Sequence, residues 1–410
     1  MGGWALVIAA AVFPDGYQSF VLEGSSTGTY GAPDGTPEFP RNLAVVFSLW
    51  DEFSALMWNT AVPGDVNSSD KLKAVFGTEE DIVIEQLYGS IEDGTGRMFF
   101  QPRTTHPGDH LSTVAIGDAI EWFQMTLDGG NDLAPSKQIW YWKEIGTLIA
   151  AIGMVLLLLP VGMLLLQTEY FGELAQDPKP IQSSSAGGWW IAALITLLLG
   201  PLTLFTFKQI PTTQEWAATA LFPQNITTAV ITWTTILGLI TIALFVIWHF
   251  GFNKKAGGDA DTYGLTWKGK LSWRKIGKSL LFAFLVGFAG YFTLMLMDYF
   301  FKTDYRFWVF GIKLLSPLQL RIALTYFIPF FFYFFMLNLV MFAQLRKDKW
   351  SLGIQMLVNV AVLVLGYVLL IVVQYIPLLS GGTLLWPDES LWSIIAFQFL
   401  PFMTIAGVVM

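Results

Sequence analysis

Seven stretches of about 20 mostly apolar residues, nearly free of charge, constrain this 410-residue chain more than any other feature. They fall near 146–167, 188–207, 228–250, 279–300, 318–343, 353–375 and 391–410. In a bilayer core each backbone N–H and C=O must be paired within the protein, so runs of this length and composition predict transmembrane α-helices. Composition agrees: 54% hydrophobic and 13% charged residues lie outside the soluble globular range. Tryptophan and tyrosine gather at the run ends, as at Trp140-Tyr141-Trp142, Trp189-Trp190 and Trp386, the pattern of an interfacial belt. Phe307 to Leu315 is too short to span and is expected at the interface. The last run reaches Val408-Val409-Met410 with no polar flank, so seven spans is read as a minimum.

The first 130 residues have a different character. Gly, Pro, Asp and Thr clusters separate short apolar runs, and the turn-rich Asp128-Gly-Gly-Asn-Asp132 marks the end of this region. The expected organisation is a soluble domain over 1–130, a linker over 131–145 and a polytopic all-α membrane domain over 146–410. Within the soluble part, Ser19–Gly24, Asn42–Ser48 and Arg97–Pro102 read as buried parallel strands. Ser112 to Leu127 reads as a helix with Ile116, Ala119, Ile120, Phe123 and Leu127 on one stripe. Strands alternating with helices predict an α/β layer fold. No cysteine is present, which rules out disulfides and thiolate zinc sites, and a net charge of −8 argues against nucleic acid as a partner. No residue pattern calls for a cofactor or a metal.

Reactive residue types cluster beyond the ends of two expected strands, where open parallel sheets gather functional groups. Asp51 and Glu52 follow the strand at 42–48, and His106 and His110 follow the strand at 97–102. A lone acid after a strand is ordinarily a cap, and a lone loop histidine ordinarily a solvated group. The chain begins Met1-Gly2-Gly3-Trp4, followed by an apolar, small-residue run to Val12. That start matches the last positions of the G-x-S-x-G turn that carries a nucleophilic serine into a helix. Nucleophile turn, then acid, then histidine is the order in which an imidazole base and a carboxylate partner follow a serine in one class of hydrolases.

With these pieces the region resembles the C-terminal half of an α/β-hydrolase of the dienelactone hydrolase and lipase-like branch, and the whole chain resembles the membrane-anchored α/β-hydrolases of bacteria and archaea. The residues carrying the resemblance are Met1-Gly2-Gly3, Asn42 to Asp51, and His106-Pro-Gly-Asp-His110. It implies half of an α/β-hydrolase sheet ahead of the helices, Asp51 as triad acid, His106 as general base and the Met1 backbone N–H as an oxyanion donor. Glu52 is the alternative acid and His110 the weaker alternative base. The nucleophile itself would lie just before Met1, so these residues alone are expected to be inactive. The implied partners are the bilayer and a small or lipid-like ester; the oligomeric state is not legible.

Basic residues set the expected orientation. Lys254, Lys255, Lys268, Lys270, Arg274, Lys275 and Lys278 lie between the third and fourth spans, and Arg346, Lys347 and Lys349 follow the fifth. Positive loops stay in the cytoplasm, which puts the soluble domain outside it, together with the lysine-free 209–227 and 377–390 loops. Lys137, Lys143, Lys302, Arg306 and Lys313 run against this assignment. Asn338 and Asn359 are the polar residues expected deepest in the spans, and interhelical hydrogen bonds account for them without an ion pathway. Two functions follow: a membrane-tethered serine hydrolase acting on acyl esters outside the cytoplasm, or a membrane transport or scaffold protein with a non-catalytic, hydrolase-like sensing domain.

Overall fold

The computed structural model describes residues 2–177, 179, 186–205 and 218–410. Met1, Pro178, the 180–185 segment and residues 206–217, which include the first part of the 209–227 loop, lie outside them. The described chain is mainly helical, with five short strands in two small sheets. The expected half of an α/β-hydrolase sheet is not found. Its place is taken by three strands of four residues each: β1 (Phe20–Glu23), β2 (Leu43–Val46) and β3 (Arg97–Phe100), parallel in the order β1-β2-β3. The strand positions follow the apolar runs, but the alternation with helices does not. Between β1 and β2 there is no helix, because Pro33, Pro37 and Pro40 with Gly24, Gly28, Gly31 and Gly35 cannot sustain one. Between β2 and β3 there are the short α2 (Ser54–Trp58) and α3 (Asp70–Phe76), with a 3-10 turn over Pro63–Ser68 between them.

The chain divides into two compact units. The first comprises Met1–Ile145 and Val372–Ile394, the second Gly146–Ile371 and Ile395–Met410. In the first unit, α1 (Gly2–Val12) covers one face of the sheet. Trp4, Val7 and Ala10 pack there with Phe20, Leu22, Val45 and Phe99. The opposite face holds Ala44, Val46, Met98 and Phe100 against α4 (Thr113–Thr126). The buried line of α4 is Ala115, Gly117, Trp122 and Thr126, not the expected stripe, and Phe123 and Leu127 are exposed. Trp122 decides the rotation: its indole carries the largest apolar surface on the helix, and its Nε1–H donates to Asn42 O at 3.1 Å. The register Phe20↔Leu43↔Arg97 aligns the three strand starts, so their carboxyl ends lie side by side.

Among the described residues, seven helices are long and apolar enough to cross a membrane, and the protein is an integral membrane protein. They are α5 (Tyr141–Leu166), α7 (Ala186–Leu204), α8 (Asn225–Trp248), α9 (Trp273–Phe301), α10 (Pro317–Val340), α11 (Leu352–Leu379) and α12 (Ser390–Val409). A short α6 (Glu169–Gly172) follows α5. The non-spanning segment before α10 forms a hairpin of β4 (Tyr305–Phe307) and β5 (Phe310–Ile312). In the second unit, Lys278 and Arg274 pair with Glu173, and Lys275 donates to the Glu173 carbonyl at 2.9 Å. The segments after α6 and before α9 therefore share one end of the helix bundle. Asn359 is bonded within its own helix, accepting from Gln355 Nε2 at 2.8 Å.

Candidate active site

Two tight turns at the carboxyl ends of β2 and β3 build the site. Beyond the strands the pairing continues: Phe47 N–H donates to Phe100 O, Leu49 to Pro102 O and Trp50 to Thr104 O. The 48–51 segment is thus held against the 101–105 segment. Asp51 N–H then closes on Ser48 O at 3.1 Å, which places residues 48 and 51 together. Opposite it, His106–Leu111 forms a 3-10 turn opened by Pro107. In a 3-10 turn side chains three apart eclipse, so His106 and Asp109 lie on one side.

The two turns pair residue for residue. His106 Nδ1 bonds Asp51 Oδ2 at 2.9 Å, and Ser48 Oγ donates to Asp109 Oδ1. Asp51 is fully buried, and its Oδ1 accepts Phe53 N–H at 2.8 Å. The Phe53 ring meets the imidazole edge-on at 4.9 Å between centroids. The imidazole is 27% exposed, and Nε2 makes no hydrogen bond to any described residue. With Nδ1–H donated to Asp51, Nε2 is the ring nitrogen left to exchange a proton. Glu52, the alternative acid, lies beside the pair rather than in it: Oε2 accepts the His106 backbone N–H at 2.9 Å. His110 is exposed and is not brought to the pair. Met1 lies outside the described residues.

Charge in the site is dense. Burial opposes a charged His106, yet the Asp51 charge and hydrogen bond, with Glu52 and Asp109 behind them, raise it to about 9. Burial pushes Asp109 up to about 8, and burial with the Asp51 charge pushes Glu52 up to about 7. At neutral pH Asp109 is therefore mostly neutral, and the carboxylate facing the imidazole is Asp51. Asp51, His106 and Asp109 each bring a potential metal-ligand atom within 4.8 Å of the others. The direct Asp51–His106 bond already uses two of those groups, which leaves Asp109 Oδ2, buried and without a partner among the described residues. The cluster reads as a hydrogen-bonded acid–imidazole pair beside a buried acid.

Gly24, at the end of β1, closes the site from the third strand. A Cβ there would lie 2.9 Å from His106 Nδ1 and 3.0 Å from Asp109 Oδ2, and its φ of +54° is itself a conformation that favours glycine. The next residue, Ser25, abuts the first turn of α1, since a Cβ on Gly3 would lie 2.1 Å from Ser25 Oγ. The amino end of α1 and the His106 ring thus meet the same Gly24-Ser25 pair. Sequence reasoning missed Asp109 and Gly24; the histidine-to-aspartate spacing of three and the glycine directly after a strand were the available signals. No family model, curated protein or solved structure matches this chain.

Proposed function

We propose that the protein is a membrane-tethered hydrolase of acyl esters in which Asp51 and His106 are the acid and base of a serine-nucleophile mechanism. The observation that supports this reading most is the 2.9 Å bond from His106 Nδ1 to a fully buried Asp51, with Nε2 left open. In this reading a serine hydroxyl meets His106 Nε2 beside the Gly24-Ser25 pair, which the amino end of α1 also meets. The neutral imidazole, the minority form below about pH 9, takes the serine proton on Nε2 as Oγ attacks the ester carbonyl. Asp51 holds the tautomer and stabilises the imidazolium. The first N–H groups of a helix have no partner within it, and those of α1 suit the oxyanion in this reading. The proton passes to the departing alkoxide, and water activated by the same nitrogen releases the acid.

A lipid-like ester is the favoured substrate, because Tyr375, near the end of spanning helix α11, bonds Glu52 beside the base and brings the site to the edge of an apolar helix. The cationic loops favour an extracytoplasmic active site. The test uses protein produced from its own gene, in its native membrane, with a fluorophosphonate probe and p-nitrophenyl esters. Wild type is expected to label and turn over. His106→Ala and Asp51→Asn are each expected to lower kcat by a factor on the order of 10^4. Undiminished hydrolysis in His106→Ala would place the chemistry elsewhere.

One observation favours the second reading, a membrane transport or scaffold protein. Helices α7, α8 and α10 border a cavity of about 620 Å³ lined by Thr196, Gly200, Leu237, Asn253, Tyr333 and Gln344, a size suited to a small ligand. A wild-type protein that neither labels nor hydrolyses would shift the weight to this cavity.

A further inference from the structure

Glu52 is a buried acid that the acid–imidazole pair does not need. Asp51 already holds Nδ1, and an uncompensated carboxylate at 7% exposure is costly. Its bonds explain what it does. Oε2 accepts the backbone N–H of His106, which opens the 3-10 turn and has no partner within the turn. Oε1 accepts the hydroxyl of Tyr375 at 2.6 Å, and the Glu52 carbonyl accepts Ser390 Oγ at 2.6 Å. Tyr375 sits one turn before the end of α11, and Ser390 opens α12. All four residues belong to the first compact unit.

We propose that Glu52 and Tyr375 are positioning residues that fix the backbone of the His106 turn to the end of helix α11, so that a membrane helix sets the placement of the base. This rests on the reading of His106 as general base for its catalytic consequence, but not for its physical content. Two donors converge on the Glu52 carboxyl group, and when it is ionised both bonds are of the strong, charge-assisted kind. Neither Glu52 nor Tyr375 contacts the reacting atoms; each acts through the peptide that carries the imidazole. Gln at position 52 keeps one acceptor for the His106 N–H and offers a donor to the Tyr375 oxygen, whereas Ala keeps neither.

The chain contains three histidines, so selective 15N-histidine labelling of the full chain in lipid nanodiscs gives a sparse set of backbone amides. Hydrogen exchange at the His106 amide is the direct readout. Glu52→Ala is expected to speed it about tenfold or more, and Tyr375→Phe to speed it by a smaller factor. Tyr375→Phe should add nothing in the Glu52→Ala background, and Glu52→Gln should restore most of the protection. A purely structural role would instead give additive effects and would speed exchange at His110 equally. Unchanged His106 exchange in Tyr375→Phe, a mild variant that removes one oxygen, overturns the proposal even if Glu52→Ala fails to fold.

Ester hydrolysis per probe-labelled site supplies the second readout. Tyr375→Phe is expected to lower kcat about threefold or more with KM unchanged. Altered exchange with unaltered kcat would overturn the catalytic part of the proposal. A wild type without hydrolysis would overturn the hydrolase reading alone, since the exchange result stands by itself.

Discussion

Asp109 is buried to 2% exposure, takes the Ser48 hydroxyl on one oxygen and leaves the other without a partner among the described residues. Burial raises its pKa from 3.8 to about 8, so the folded protein binds a proton there that the unfolded chain has already released. The linkage sign follows: with more protons bound in the folded state, stability falls as pH rises between those values. His106, raised from 6.5 to about 9, adds a loss in the same direction at the upper end. Asp109→Asn is neutral throughout, so its stability should decline less than wild type between about pH 4 and pH 8. Thermal unfolding across that range checks this; parallel pH curves for the two proteins would refute it. Gly24→Ala tests the packing around the same group. The added methyl meets both His106 and Asp109, and about a tenfold or greater fall in kcat is expected from misplacement of the ring. Asp51 and His106 were legible because each follows an apolar run in an order that carries chemical meaning. Asp109, Gly24 and Tyr375 were not, because their roles depend on turns and on a contact 323 residues away in sequence.

The helices long enough to span were the most legible elements, since bilayer thickness turns length and apolarity into a near-sufficient rule. The strands of the first unit were also visible as runs, but the architecture inferred from them was wrong. A run such as Leu43-Ala-Val-Val46 reports burial on both faces and not how many strands share the sheet. Alternation of strands with helices fails between β1 and β2, where the prolines leave only loop. Periodicity likewise misplaced the buried line of α4, because five aliphatic or aromatic positions outvoted one tryptophan. Trp122 is fully buried and holds Asn42 O, while the Asn42 side chain itself bonds Gly96 N, Gln18 O and Ile91 O. Asn42 thereby ties the starts of all three strands to α4. Trp122→Ala is expected to cost about 3–5 kcal/mol, the range for removing a large buried aromatic. Pulse proteolysis of the first unit measures it, and a loss below about 1 kcal/mol would mean that α4 is held elsewhere.

Sidedness joins the sequence pattern to contacts that the pattern could not reveal. Among the described residues, six spanning helices, α5 and α7 to α11, separate residue 140 from residue 380, and an even number returns the chain to the side on which it began. The Glu52 bonds to Tyr375 and Ser390 agree, because they bring the connection between α11 and α12 to the unit that precedes α5. The same count puts the segments after α5, α8 and α10 together on the other side, where Lys278, Arg274 and Lys275 meet Glu173 and where most of the loop cations lie. Translocating so many closely spaced cations is disfavoured, so that side is expected to be cytoplasmic and His106 to face outward. The absence of cysteine makes the test direct. Single cysteines at Ser68, Ser380 and Ala260, all exposed, are introduced separately and intact cells treated with a membrane-impermeant thiol reagent. Labelling at Ser68 and Ser380 with protection at Ala260 is the expected result. The reverse pattern would keep the span count and move the site to the cytoplasm, whereas opposite outcomes for Ser68 and Ser380 would break the even count itself.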